Sequence, residues 1–125
     1  MKTFKKVAVV GAGAWGTSLS IILSKNVENV AVWAREAEIV ESVRRERLNR
    51  TFLPQVKVPE NVAFSSDPAE VLTGAEMVVW VVPIQFLKTT AQNFAKFVLG
   101  GSIQVNAGKG IEIGTWKRPS EILRE

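Results

Sequence analysis

The segment VAVVGAGAWGTSLS, residues 7–20, runs a short apolar stretch directly into glycines at positions 11, 13 and 16. A G-x-G-x-x-G spacing constrains a fold when it closes a buried strand and opens a helix, because each glycine then answers a separate steric demand. Gly11 permits the sharp strand-to-helix turn, Gly13 lets backbone amides come up to a ligand, and Gly16 lets the helix lie close against the strand. Both flanks suit this reading. Residues 4–10 are nearly continuous in hydrophobicity, as in a parallel strand covered on both faces. From Trp15 the apolar positions Leu19, Ile22 and Leu23 recur at helical spacing, predicting a helix that ends near Asn26. NVAVWA, residues 29–34, predicts a second buried strand, which completes a right-handed βαβ unit within about 30 residues. The helix N-terminus adds unpaired N–H donors and partial positive charge at the glycine turn, so the ligand implied there is the pyrophosphate of a dinucleotide.

The alternation continues down the chain. Glu36, Glu38 and Glu41 precede Arg44, Arg45 and Arg47 around the stripe Ile39, Val40 and Val43, a charge order that complements a helix dipole. Prolines at 54 and 59 mark a connection into a short strand at 62–65. Asp67, Pro68 and Glu70 supply an N-cap, a first-turn proline and a capping-box acid for a short helix that stops near Gly74. MVVWVV, residues 77–82, predicts a strand buried on both faces and ended by Pro83. Leu87, Ala91, Phe94 and Val98 mark the next helix face, Gly100 and Gly101 end it, and SIQVNA resumes as a fifth strand. The order βαβαβαβαβ predicts the α/β class: a Rossmann-type doubly wound parallel sheet in three αβα layers, with strand order 3-2-1-4-5. Residues 108–118 depart from this pattern as a polar, glycine-punctuated loop, and Pro119 with Ser120 reads as the start of a further helix. The chain is therefore expected to be a single domain, 1–125, of a larger protein.

Composition narrows the chemistry. With 46% hydrophobic and 22% charged residues the chain has the make-up of a soluble globular domain. No apolar run reaches the roughly 18 residues of a membrane span. The lysines of MKTFKK precede an apolar segment that breaks at Gly11 and lacks a cleavage pattern, so a cytoplasmic protein is expected. There are no cysteines and no histidines, which excludes disulfides, thiolate chemistry, the usual zinc sites and histidine general-base catalysis. The net charge is +4, with basic residues interleaved with acids, which suits a small phosphorylated ligand better than nucleic acid.

The end of the second strand decides which dinucleotide is preferred, since NAD-binding proteins place an acid there on the adenosine ribose. Here the position falls at about Ala34, followed by Arg35. A neutral residue removes repulsion against a 2′-phosphate, and the guanidinium can pair with that phosphate or stack on adenine, so NADP is favoured. The alternative is a solvated Arg35, with Glu36 in a shifted register on the ribose. Lys109, between Gly108 and Gly110 just after the fifth strand, sits at the carboxyl edge where open α/β sheets bind ligands, although a solvated loop lysine has the same sequence signature. Glu112 reads as a residue that orients this loop. Pro83 and Gln85 lie at the same edge but read first as a strand stop and a helix start. Trp33 and Trp80 read as core, whereas Trp15, beside the glycine turn, is open between cofactor contact and packing.

Taken together, VAVVGAGAWGTSLS, VWAR, RLNRTFLPQVKVPENV, SSDPAEVL, MVVWVVPIQFL and NAGKGIEIGTWKRPSEIL resemble, in order and over nearly the whole chain, the bacterial NAD(P)-dependent glycerol-3-phosphate dehydrogenases. The resemblance implies NADP(H) or NAD(H) as cofactor and reduction of dihydroxyacetone phosphate to sn-glycerol 3-phosphate, the backbone precursor of phospholipids. It implies cofactor contacts at Gly11, Gly13, Ala14, Trp15, Gly16, Arg35, Phe52 and Lys109, with Lys109 also touching substrate, and no metal. Ala14 stands where the family often has serine, and Gly108 replaces a commoner hydroxylated or small residue. The resemblance places the catalytic lysine base and most substrate-phosphate contacts in an all-helical C-terminal domain outside this sequence, so the chain alone is expected to bind cofactor without turnover. A homodimer of the intact protein is left open. Two other readings share the cofactor-domain plan: a dehydrogenase of the 6-phosphogluconate or 3-hydroxyacyl type, against which NAGKGIE argues, and a stand-alone nucleotide-sensing module.

Overall fold

The computed structural model describes residues 4–82, 84–98 and 100–107. In chain order these form β1 (Phe4–Val10), α1 (Ala14–Leu23), β2 (Val27–Trp33), α2 (Ala37–Glu46), β3 (Val62–Ser65), α3 (Pro68–Leu72), β4 (Met77–Trp80), α4 (Ile84–Phe94), a 3-10 turn at Ala95–Phe97 and β5 (Ile103–Asn106). The five strands make one sheet in the order β3-β2-β1-β4-β5, and every neighbouring pair is parallel. The predicted order is therefore observed, with β1 central and two strands on either side.

The inner strands carry apolar runs, Val7–Val10 of β1 and Met77–Trp80 of β4, because both faces of the sheet are covered there, whereas β5 at the edge is exposed. Val7 and Val9 of β1, Val30 and Val32 of β2 and Val79 of β4 point into one cluster with Ile39, Val40 and Val43 of α2. Ala8, Val10, Val78 and Trp80 point the other way, onto Val71 and Leu72 of α3 and Leu87 and Phe94 of α4. Alternate residues of β1, β2 and β4 thus feed two separate cores, the three-layer arrangement. Trp80 is buried as predicted, its Nε1 donating to Gln104 Oε1 at 2.7 Å. Trp33 is only partly buried and meets the edge of Phe94 at 5.0 Å between ring centroids.

The first helix departs from its sequence reading. Its buried residues are Gly16, Thr17 and Ser20, while Ile22 is exposed and Leu19 and Leu23 are only half-covered. A small face lets α1 approach the sheet more closely than a leucine stripe would, and its hydroxyls are satisfied locally: Ser20 Oγ donates to Thr17 O at 2.7 Å. The helix also ends at Leu23, three residues short of Asn26. β2 in turn starts two residues early, at Val27, and stops at Trp33. The capping box of α3 is relayed rather than direct. Asp67 accepts from Ala69 N–H at 3.0 Å, and Glu70 accepts from the Ser65 hydroxyl, which itself accepts the Asp67 N–H. At the other end of α3, Lys6 Nζ donates to the carbonyls of Glu70 and Thr73, and the burial this requires lowers its pKa.

Candidate functional site

The carboxyl ends of the strands are tied together by backbone hydrogen bonds that continue past each strand. Gly11 N–H donates to Trp33 O, Val81 N–H to Val10 O, Ala34 N–H to Ser65 O and Ala107 N–H to Trp80 O, all within 2.9–3.1 Å. Above the junction of β1 with β2 and β4, where the winding of the sheet reverses, lies a cleft of about 360 Å³. Gly11, Ala12 and Gly13 form its floor, Trp33, Arg35 and Glu36 one wall, and Val81, Val82, Phe86 and Thr90 the other. Phe52, from the connection between α2 and β3, also lines it. A topological switch point at the carboxyl edge is where ligands of open α/β sheets bind.

The three glycines of the motif behave differently. Gly11 has φ +126°, a conformation closed to most side chains, and a Cβ there would lie 2.5 Å from the Val81 carbonyl oxygen. A Cβ on Gly16 would overlap the Gly11 carbonyl oxygen. Both are therefore demanded by the protein itself. Gly13 is not: its φ is −70°, and a Cβ would meet nothing within 4 Å. As the N-cap of α1 it has no side chain to offer, and the first turn of that helix carries no acid. Among the described residues no side chain caps the N-terminus of α1 and no acid of its first turn neutralises it, an arrangement suited to an anion.

Other predicted residues fall around this floor. Ala14 and Trp15 begin α1 and are exposed. The Trp15 indole Nε1 donates to Ala107 O at 3.1 Å, so the ring spans from the glycine turn to the end of β5 instead of lying among the cleft residues. Ala34 is buried and Arg35 exposed at the rim beside Glu36, so the two readings of the β2 end meet at one place. Phe52 and Phe86 are 45% and 54% exposed, a large apolar area left uncovered among the residues that line one cleft. Lys109, with Gly108, Gly110, Glu112 and Trp116, lies outside the described residues, as does Pro83.

Residue-by-residue reading missed Phe86, Thr90 and, above all, Asn49. The last is fully buried and binds the glycine turn directly, its Nδ2 donating to Ala12 O at 2.8 Å. Among the described residues no group of three or more His, Cys, Asp or Glu could hold a metal ion, and no helix is long and apolar enough to cross a membrane.

A family description of the N-terminus of NAD-dependent glycerol-3-phosphate dehydrogenase matches residues 6–125. The chain belongs to this family. Among curated glycerol-3-phosphate dehydrogenases, named as using NAD(P)+, the enzyme of Citrifermentans bemidjiense is 43% identical over 121 residues, and that of Geobacter sp. 41% over 121 residues. Each match takes in 97% of this chain but only 36% of the relative, so the chain spans about a third of the length of these dehydrogenases. The crystal structure of glycerol-3-phosphate dehydrogenase from Coxiella burnetii superposes with a TM-score of 0.86 at 24% identity, covering 95% of this chain and 36% of that one. That likeness establishes the Rossmann-type fold. The chain corresponds to the N-terminal, NAD(P)-binding domain of the glycerol-3-phosphate dehydrogenase family.

Proposed function

We propose that the cleft binds NADPH or NADH with its pyrophosphate on the N-terminus of α1, and that this domain serves a cytoplasmic enzyme reducing dihydroxyacetone phosphate to sn-glycerol 3-phosphate for phospholipid synthesis. The observation that carries the reading is the contrast at the glycine turn: protein atoms close the space at Gly11 and Gly16 and leave it open at Gly13. Amides of Ala14, Trp15 and Gly16 supply donors to the phosphates, Arg35 faces the adenosine ribose, and Phe52 and Phe86 cover apolar ring surface. When bound, the reduced nicotinamide supplies a hydride to the substrate carbonyl carbon, and a proton completes the hydroxyl on its oxygen. Lys109, which the resemblance places at cofactor and substrate, contributes a positive charge to that contact.

The relatives' length and the position of the match fit a cofactor domain, 1–125, whose catalytic base and phosphate clamp are supplied elsewhere in the parent protein, with dimerisation a property of that parent. Proton transfer and positioning each contribute large factors to such a rate, so the chain alone binds cofactor and does not turn over. Calorimetric titration with NADPH, NADH and dihydroxyacetone phosphate separately tests the reading. Both nucleotides should bind and the triose phosphate alone should not. A folded chain that takes neither nucleotide overturns it, and oxidation of NADPH by the chain alone with dihydroxyacetone phosphate overturns the division of labour.

A further inference from the structure

Asn49 lies in a connecting segment, yet it is completely buried and all of its side-chain polar atoms are engaged. Nδ2 donates both hydrogens, to Ala12 O at 2.8 Å and to Thr17 Oγ1 at 2.9 Å. Oδ1 accepts the Phe52 N–H at 3.1 Å, and the Asn49 carbonyl accepts from Leu53 N–H at 2.8 Å, closing a turn over 49–53. One amide therefore joins the glycine turn, the first turn of α1 and the segment that carries Phe52, across 32 to 37 residues of sequence. Ala12 and Phe52 both line the cleft, and Asn49 does not.

We propose that Asn49 is a positioning residue of the dinucleotide site, an inference that rests on reading the cleft as that site. In a trans peptide the C=O and N–H point in opposite directions. Holding the Ala12 carbonyl toward buried Asn49 thus turns the N–H of the same peptide, that of Gly13, away from the interior. The other end of the amide fixes the turn that carries Phe52, itself a lining residue of the cleft. The distance between the phosphate-binding floor and the aromatic wall is then set by one side chain whose every alternative placement leaves a buried polar group unpaired. Preorganising two walls in this way spares the ligand the cost of ordering them.

Asn49→Asp tests this with little change of shape. It keeps an acceptor for Phe52 N–H but sets a carboxylate oxygen where the donors to Ala12 O and Thr17 Oγ1 stood. Titrated with NADPH and with NADH, the folded variant should show both dissociation constants raised by about 10-fold or more, the scale of a lost buried hydrogen bond. An equal loss for the two nucleotides is expected, because the turn serves the pyrophosphate they share. Parent and variant binding equally well overturns the proposal. A parent that binds neither nucleotide overturns the site itself. Should the variant not fold, amide hydrogen exchange on the unaltered chain decides: saturating NADH should slow exchange at Phe52 together with Ala14, Trp15 and Gly16. Protection at the glycine turn with none gained at Phe52 overturns the coupling.

Discussion

Gly16 sits against the carbonyl of Gly11 so closely that a Cβ on Gly16 would overlap the oxygen, backbone against backbone, with no flexible side chain to give way. This contact seats the first turn of α1 on the end of β1, and the small buried face of the helix, Gly16, Thr17 and Ser20, continues it. Gly16→Ala should therefore force the helix outward. The expected loss is about 1–3 kcal/mol, the scale of overpacking in a well-fitted interior, read from the urea midpoint of the chain. An unchanged midpoint would show that the turn yields more easily than its geometry implies.

Three residues earlier the expectation reverses. Gly13 has an ordinary φ and open space where a side chain would stand, so Gly13→Val should alter stability by less than about 1 kcal/mol, the range of an unfavourable N-cap. The added isopropyl group would occupy the ground over the N-terminus of α1, and nucleotide binding should be lost. Retained melting temperature with lost calorimetric heat is the expected pair of results; undiminished binding would move the pyrophosphate elsewhere.

How much of this could be read from residues alone depended on the kind of signal. The central strands were legible because a parallel strand covered on both faces writes itself as a continuous apolar run, as in residues 77–80, and the exposed edge strand β5 was legible from Gly100 and Gly101 before it and from the alternation of the chain. The buried face of α1 was not. A helix that packs through Gly16, Thr17 and Ser20 leaves no apolar stripe at its most buried face; of the visible stripe, Leu19 and Leu23 only flank the core and Ile22 faces solvent. Asn49 left no periodic trace either, since its partners Ala12 and Thr17 lie more than 30 residues away and a lone asparagine in a coil looks like a turn residue. Phe86 read as ordinary helix sequence, and only its exposure beside the cleft marks it out.

Acid should loosen the segment that carries Asn49 and Phe52. Glu46, at the end of α2, accepts from the Arg50 guanidinium on both carboxylate oxygens, and that hydrogen bond, aided by the charges of Arg50, Arg45 and Lys57, holds its pKa below the usual 4.5. Between the folded and unfolded pKa values the unfolded chain binds more protons, so the contribution is complete above about 4.5 and is lost as pH falls through the folded value. The pair is exposed and its effect small. Urea midpoints of parent and Glu46→Gln should differ slightly at neutral pH and converge in acid. A difference that stays constant with pH would assign it to something other than this ionisation.

Nucleotide preference is expected to turn on Arg35. Ala34, the residue just past β2, is buried and neutral, so it neither accepts from the ribose hydroxyls of NAD nor repels a 2′-phosphate, while the exposed Arg35 offers a guanidinium at the cleft rim. A charge-assisted pair of this kind contributes about 1.5–3 kcal/mol, or roughly 10- to 150-fold in affinity before solvent screening reduces it. NADPH should therefore bind more tightly than NADH, with a gap that narrows as salt rises. Arg35→Ala should weaken NADPH and leave NADH nearly unchanged. Equal losses for both would mean that the guanidinium stacks on adenine, which the two nucleotides share. Glu36 lines the same cleft, so Glu36→Gln is the matching control. If that carboxylate, rather than Arg35, meets the ribose, its removal should weaken NADH and spare NADPH, and the expected preference would be reversed.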